Sequence, residues 1–214
     1  MTSLSPFSLL RRAAWLAATL ASAMTLAACA PIVVGGAMVG GGLMMVDRRT
    51  SGAQVEDQTI EFKGSSAVSQ VLGERGHVNL TSYNRMLLIT GEVPTEADRK
   101  AVEQAASRVE NVRSTLNELA VMASSTYTAR SNDTLITSKV KASFVDAADL
   151  QANALKVVTE RGVVYLMGRV TEREAKRAAD LTRSITDVKK VVRVFEIITE
   201  AELAALGTAP ATKP

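Results

Sequence analysis

The residue with the clearest chemical role is Cys29, the only cysteine of the chain, which follows an uncharged apolar run near the N-terminus. Arg11 and Arg12 stand before that run, which extends from 13 to 26, and two alanines separate it from the cysteine. A basic start, a short apolar region and small residues before a cleavage site are typical of a secretory signal peptide. The run is also shorter than the roughly 20 residues that a membrane-spanning helix needs. We therefore predict that the chain is exported.

The sequence Leu-Ala-Ala-Cys that ends at Cys29 resembles the bacterial lipobox. The resemblance implies that residues 1–28 are removed as a signal peptide and that the cysteine then carries a diacylglyceryl thioether. Two or three acyl chains hold a protein on a membrane durably, whereas one chain does not. The next residue is Ala30. In enterobacterial lipoproteins, a residue other than aspartate at this position accompanies sorting to the outer membrane. We predict a lipid-anchored, periplasm-facing protein of the outer membrane; the alternative is an ordinary Ala-x-Ala cleavage that leaves a free thiol.

Residues suited to catalysis are scarce in the rest of the chain. There is one histidine, His77, besides the one cysteine, and zinc sites and general bases draw mainly on these residue types. Aromatic residues make up 4% of the sequence, too few for the stacking platforms of single-stranded nucleic-acid binders. We therefore predict no enzymatic activity, no metal, no other cofactor and no nucleic-acid partner.

Charge is divided unequally along the chain that follows the signal peptide. Residues 47–125 hold 9 basic and 11 acidic side chains, a net of −2, whereas residues 126–214 hold 14 and 11, a net of +3. The two halves are therefore expected to face different electrostatic partners. Before them, residues 32–46 are apolar and contain five glycines, which makes a poor membrane-spanning helix. We interpret residues 29–50 as a lipidated, apolar and glycine-rich tether.

An internal repeat sets the domain organisation of the mature chain. Residues 57–60 correspond to residues 133–136 at an offset of 76, and an apolar run at 86–93 corresponds to 163–170 at an offset of 77. The repeat therefore predicts two homologous units. The predicted segments are a first unit at 51–123, a linker at 124–131, a second unit at 132–199 and a flexible tail at 200–214.

Each unit is predicted to run in the order helix, strand, tight turn, strand, helix and strand. The opening helices are predicted over residues 57–72 and 133–145, with the first aspartate of each as its N-cap. Hairpin turns are predicted at 84–85 and 161–162, because Asn and Gly accept the positive φ that such turns require. The charged block at 172–177 is interpreted as a solvated helix surface with local ion pairs.

Two contiguous blocks of the second unit resemble a known family. They are Asn-Asp-Thr-Leu-Ile-Thr-Ser-Lys-Val at 132–140 and Val-Tyr-Leu-Met-Gly-Arg-Val-Thr-Glu-Arg-Glu-Ala at 164–175. With the αββαβ order they resemble the BON domain, and two copies behind a lipobox are similar to the dual-BON outer-membrane lipoproteins associated with division and outer-membrane stress. The resemblance implies an α+β fold of two tandem BON domains, each with a small three-stranded mixed sheet covered by two helices. It also implies no enzymatic activity, binding of anionic phospholipid through the second BON domain, and a role in outer-membrane integrity.

The opening helix of the second unit is where a lipid-binding face is predicted. At 100° per residue Ile136, Val140 and Phe144 share one side, which is expected to pack on the sheet. The opposite side is small, apolar and edged by lysines, the composition of a helix that lies in a membrane interface. The expected partner is an anionic, phosphatidylglycerol-like membrane surface. The predicted phospholipid-binding residues are Thr134, Leu135, Ser138, Lys139, Lys141, Ala142 and Val145.

The equivalent helix of the first unit is predicted to be a poor partner for anionic lipid. It carries Thr59 in place of Leu135 and Phe62 in place of Ser138, with further serines and acidic residues nearby. Two alternatives stay open for the second unit. Its lysines could simply be solvated, with the apolar residues of the helix packed against the first unit. Alternatively the protein is an adaptor whose helix binds another envelope protein, with incidental lipid contact.

Overall fold

The structure, a computed structural model, describes residues 47–208. The predicted signal peptide, Cys29 and most of the predicted tether lie outside these residues. No helix within the described part of the chain is long and apolar enough to cross a membrane.

The first unit is built on a hairpin of two antiparallel strands, with later strands added in parallel beside the second one. The sequence predicts one closing strand, but two short strands are present because the buried Leu119 interrupts the pairing and turns into the core. The elements are α1 (Ser51–Leu72), β1 (His77–Tyr83), β2 (Met86–Val93), α2 (Glu96–Ser107), β3 (Ser114–Asn117) and β4 (Ala120–Val121).

The second unit repeats this arrangement with an unbroken closing strand. Its middle strand pairs antiparallel with the first strand and parallel with the last one, so the sheet is mixed. The predicted α+β fold of two tandem αββαβ units is therefore confirmed. A helix, α5, follows at Glu200–Thr208, where a flexible tail is predicted. The elements of the second unit are α3 (Tyr127–Asp146), β5 (Leu155–Glu160), β6 (Val163–Val170), α4 (Glu172–Arg183) and β7 (Lys190–Ile197).

Both opening helices begin earlier than predicted. Thr50 caps α1 and Thr126 caps α3, and each hydroxyl accepts a hydrogen bond from a backbone N–H group of the first turn. The predicted N-caps, Asp57 and Asp133, lie inside the helices instead. The predicted linker at 124–131 is consequently helical from Tyr127 onward.

Asp57 and Asp133 hold the two hairpin turns. The carboxylate of Asp133 accepts hydrogen bonds of 2.8 Å from the backbone N–H groups of Arg161 and Gly162. Asp57 binds the two turn residues of the first unit in the same way, at 2.7 Å each. These turn residues have the predicted positive φ, which points their N–H groups away from the strand pairing. The repeated aspartate is therefore a contact between helix and turn, and not a helix cap.

The two sheets stack face to face, and each carries its helices on the far side. Along β2, Leu87 and Ile89 enter the core beneath α1 and α2, whereas Leu88 between them points to the other sheet. The described residues, 47–208, accordingly form one compact unit. The outer faces of α1 and α3 lie on opposite sides of this unit. The buried residues shared by the two sheets are Tyr83, Leu88, Tyr165, Met167 and Val194.

Candidate functional site

Helix α3 has the two contrasting faces that the helical wheel predicts. Ile136, Val140 and Phe144 are at most 1% exposed and belong to the core of the second unit. On the opposite face the side chains of Leu135 and Val145 are 59% and 64% exposed. Neither is buried against the first unit, so that alternative to a free surface does not hold.

The seven residues predicted to bind phospholipid are all exposed on this outer face. They span about 17 Å of helix at 1.5 Å per residue. The hydroxyl of Thr134 donates to the carbonyl oxygen of Arg130, and that of Ser138 donates to the carbonyl oxygen of Thr134, both at 3.0 Å. Because these hydroxyl protons are already used in hydrogen bonds within the helix, the two side chains expose fewer unpaired hydrogen-bond donors on the outer face. The face is therefore more apolar than its sequence indicates.

The two lysines at the edge of this face have different surroundings. The Nζ atom of Lys139 lies 3.6 Å from an Oδ atom of Asp187, and both side chains are 51% exposed. An exposed ion pair of this length contributes little and is screened by salt. Within residues 47–208, Lys141 has no carboxylate at ion-pair distance. Both ammonium groups are therefore available to an anionic surface.

Tyr127 extends the outer face of α3 by two turns toward its N-terminus. Its side chain is 86% exposed, and it stands seven residues before Thr134, on the same side of the helix. The guanidinium of Arg130 lies 5.6 Å from the centre of its ring. Tyr127 is absent from the predicted site because the helix is predicted to begin at Asp133, six residues later. The signal that could have shown it is Thr126, a good N-cap residue in the predicted linker.

A groove of about 420 Å³ adjoins the C-terminal end of the same helix. Its walls are mostly apolar and come from α3, a short 3₁₀ turn (Ala152–Ala154) and the start of β5. One wall is formed by Asp47, the first described residue. The lining residues are Asp47, Lys141, Phe144, Val145, Ala152, Asn153 and Leu155.

The outer face of α1 differs from the acidic surface that the sequence predicts. Asp57 is buried, and Glu61 accepts hydrogen bonds from the backbone of Ser82 and from Lys156, both on the sheet side. The exposed residues of α1 include two large apolar side chains, Val55 and Phe62, which are 64% and 79% exposed. Two of the three acidic residues of α1, Asp57 and Glu61, therefore bind groups on the sheet side of the helix.

The fold defines a class of α+β proteins made of two stacked αββαβ modules. The candidate site of this protein is an exposed surface, the outer face of α3 with lysines at its edge. Within the described residues, no three His, Cys, Asp or Glu side chains are grouped as a metal site requires. Residues 57–123 and 132–199 each match the BON domain. The chain therefore belongs to the BON-domain family, in two tandem copies.

The relatives define the family more narrowly. The chain is 36% identical over 186 residues to the outer membrane lipoprotein DolP of Haemophilus influenzae, covering 86% of this chain and 95% of the relative. It is 29% identical over 155 residues to a 21 kDa hemolysin of Actinobacillus pleuropneumoniae, covering 72% and 80%. The chain is thus a dual-BON-domain outer-membrane lipoprotein, lipid-anchored and facing the periplasm.

Among solved structures, CdsD, a structural protein of the type III secretion system of Chlamydia trachomatis, aligns with 70% of this chain and 98% of its own. The TM-score is 0.28 and the identity 10%, so the likeness has no bearing on function.

Proposed function

We propose that this lipoprotein is a non-enzymatic protein, anchored through Cys29, whose second BON domain docks on anionic phospholipid through the outer face of α3. The docking helps to maintain the integrity of the outer membrane. The observation that carries the proposal is the exposure of Leu135 and Val145 on a face edged by Lys139 and Lys141. Aliphatic side chains gain free energy by entering the membrane interface, and lysines are attracted to anionic headgroups.

The expected strength of this contact is modest. Each lysine near an anionic surface contributes about 1 kcal/mol, and full burial of one aliphatic side chain contributes about 1.5–3 kcal/mol. Two lysines and two partly inserted aliphatic residues therefore give a weak, salt-sensitive association. An acylated Cys29 would keep α3 close to the membrane. The anchor therefore raises the effective concentration of membrane at the helix without adding a contact to α3 itself.

Vesicle flotation tests the proposal on the full mature chain carrying Cys29→Ser, so that no acyl group contributes. The double variant Lys139→Glu with Lys141→Glu should bind phosphatidylglycerol vesicles at least about tenfold more weakly, since each reversal replaces attraction by repulsion. Leu135→Glu should also weaken binding. Neutral phosphatidylcholine vesicles should bind poorly in every case.

A matched control is available on the other side of the molecule. Lys100 and Arg108 are exposed on and just after α2, so Lys100→Glu with Arg108→Glu makes the same change in net charge away from α3. This control should bind phosphatidylglycerol vesicles like the parent chain, and circular dichroism should show that all variants are folded. Unchanged flotation of the Lys139 and Lys141 double variant would exclude α3 as the docking surface.

A second candidate function is that of an adaptor, and the exposed aromatic ring of Phe62 favours it. Phe62 and Val55 stand seven residues apart on α1 and so share its outer face, which points away from α3. A protein bound there would leave α3 free for lipid. Capture of one defined envelope protein in detergent, abolished by Phe62→Ala and kept by Leu135→Glu, would support the adaptor role.

A further inference from the structure

A pocket of about 240 Å³ lies where the first strands of the two domains meet the N-terminal half of α3. His77 and Asn79 of β1 line one side of it, and Thr159 and Glu160 of β5 line another. Pockets for drug-sized ligands measure roughly 300–1,000 Å³, so this one suits a smaller molecule. Thr134, one of the predicted phospholipid-binding residues, also lines it. The pocket therefore adjoins the outer face of α3.

Glu160 is a buried carboxylate of this pocket without a cation of its own. It is only 3% exposed, and its side chain accepts one hydrogen bond, of 3.0 Å, from the amide of Asn79. Within residues 47–208 no basic side chain lies at ion-pair distance from it. The neighbouring guanidinium, that of Arg161, pairs with the buried Glu92 instead. Two buried carboxylates therefore stand near one guanidinium, which leaves an excess negative charge at the pocket.

This arrangement is costly unless a ligand supplies the missing positive charge. Burial is the main cause of the raised pKa of Glu160. A cation bound beside the carboxylate would favour its ionised form and remove that penalty. Asp133, another carboxylate of the pocket, already binds two backbone N–H groups of the β5–β6 turn. A carboxyl group with a perturbed pKa in the wall of a cleft is typical of a binding site.

The polar groups around Glu160 match a primary ammonium group. The hydroxyls of Thr137 and Thr159 line the same pocket and are joined by a hydrogen bond of 2.7 Å. Each hydroxyl oxygen keeps a lone pair that can accept a further hydrogen bond. With Glu160 they offer three acceptors, one for each N–H donor of the ammonium. A metal ion fits less well, because within the described chain no three His, Cys, Asp or Glu side chains are grouped for it.

Arg130 provides the pocket with a group that can bind an anion. Its Nε atom donates to the hydroxyl of Ser125 at 3.1 Å, and none of the described carboxylates lies at ion-pair distance from it. The terminal N–H groups of the guanidinium can therefore bind two phosphate oxygens. We propose that the pocket binds ethanolamine phosphate, with the ammonium at Glu160 and the phosphate at Arg130.

Two sources carry this chemistry, the headgroup of phosphatidylethanolamine and the free compound. Both are zwitterionic and are recognised inside the pocket, whereas the docking of α3 on anionic phospholipid involves its outer face. The two interactions are therefore independent, and failure of one is a separate result from failure of the other.

Titration with free phosphoethanolamine, followed by NMR of the backbone amides, tests the pocket on the full mature chain carrying Cys29→Ser. The amides of Thr159 and Glu160 should shift saturably in the parent chain. Glu160→Gln should weaken binding at least about tenfold, because it removes the charge that meets the ammonium. Ethanolamine and inorganic phosphate, which carry one of the two groups each, should bind more weakly than phosphoethanolamine.

Glu172→Gln is the matched control, since it makes the same change at an exposed carboxylate of α4 outside the pocket. This control should bind phosphoethanolamine like the parent chain. Circular dichroism should show that Glu160→Gln is folded, because glutamine keeps the shape of the side chain. A parent chain that does not bind phosphoethanolamine, or equal affinity in Glu160→Gln, would overturn the proposal.

Vesicle flotation distinguishes the two sources of the ligand. The trimethylated ammonium of phosphatidylcholine has no N–H donor, so pure phosphatidylcholine vesicles are compared with mixed vesicles that also contain phosphatidylethanolamine. If the lipid headgroup is the ligand, the parent chain should prefer the mixed vesicles and Glu160→Gln should lose that preference. If the parent chain binds free phosphoethanolamine but floats equally with both, the pocket takes the free compound. A preference for mixed vesicles that persists in Glu160→Gln would overturn the assignment to this pocket.

Discussion

Arg161, in the hairpin turn of the second domain, forms an ion pair of 3.0 Å with Glu92 of the first domain. The side chain of Glu92 is fully buried and also accepts a hydrogen bond of 3.1 Å from the backbone N–H group of Ser125. Arg161 donates in addition to the carbonyl oxygen of Gly91 at 2.8 Å. These contacts lie beside the apolar interface of the two sheets. A charged pair that crosses the interface makes the stability of each domain depend on the other.

Arg161→Ala should lower the free energy of unfolding by about 3 kcal/mol, because it leaves the Glu92 carboxylate buried without a cation. Urea unfolding at pH 7 measures the change. The control Arg183→Ala removes an exposed ion pair with Asp180 and should change the free energy by less than about 0.5 kcal/mol. A similar small loss in both variants would show that Glu92 is not held by Arg161.

Glu92 should make stability fall in acid. Burial acts to raise the pKa of Glu92, but hydrogen bonds from Ser125 and Arg161 outweigh it, so its pKa lies below the usual value. The stabilisation is therefore complete above the pKa of the unfolded chain, about 4.5, and is lost as the pH falls through the lower folded pKa. Glu92→Gln should destabilise the protein at pH 7, with a difference from the parent chain that shrinks in acid. A pH-independent difference in unfolding free energy would contradict this.

Glu160 should behave in the opposite way. Burial raises the pKa of Glu160, a hydrogen bond from Asn79 partly offsets this, and the negative charge of Glu92 adds to the rise. A raised folded pKa means that the ionised carboxylate is disfavoured in the folded protein at neutral pH. Glu160→Gln should therefore raise the free energy of unfolding at pH 7 and lose that advantage as the pH falls through the folded pKa. Unfolding curves from pH 4 to pH 8 measure the difference in unfolding free energy between the variant and the parent chain. A variant that is less stable than the parent chain at pH 7 would contradict the prediction.

Tyr127 should contribute to membrane binding if α3 is the docking helix. Its ring combines an apolar body with a polar end, which suits the headgroup region of a bilayer. Tyr127→Ala should weaken binding to phosphatidylglycerol vesicles about three- to tenfold, while Tyr127→Trp should retain it. Phe62→Ala is the matched control, since it removes another exposed aromatic ring from the opposite side of the molecule. Equal losses in the two alanine variants would point to a non-specific apolar effect.

Asp133→Ala should destabilise the protein by about 2–4 kcal/mol, because it leaves two backbone N–H groups of the β5–β6 turn without an acceptor. Asp133→Asn keeps one carbonyl acceptor and should cost less. Thermal unfolding of the parent chain and the two variants measures the order of their stabilities. If Asp133 acted only as a helix cap, alanine would shift the helix start and cost about 1 kcal/mol.

Much of the fold follows from local patterns. The alternation of apolar residues in the strands and the turn residues predict each αββαβ unit, because these signals depend on neighbours a few residues apart. The repeat at offsets of 76 and 77 shows that the pattern occurs twice. The same dependence on near neighbours holds for α3, whose buried residues and exposed site residues both follow from the helical period. Phospholipid binding by that face stays a prediction.

The roles of several charged residues depend on partners that are far away in sequence. Asp133 binds a turn 28 residues later, and Glu174 binds an arginine 126 residues earlier. A local reading assigns the first to a helix cap and the second to a solvated surface, because it has no knowledge of such partners. Tyr127 falls outside the predicted helix for a related reason, since taking Asp133 as the N-cap leaves out the first two turns of α3.

The sequence by itself determines the two BON units and the amphipathic character of α3, because hydrophobic periodicity is set along the chain. Only the tertiary structure decides that the sheets stack face to face, so that the outer faces of α1 and α3 lie on opposite sides of the protein. It also decides that Arg48 and Arg49 bring the start of the described chain to the groove beside Val145. Stacking and ion pairing depend on which surfaces meet in space, and no local pattern of residues specifies that meeting.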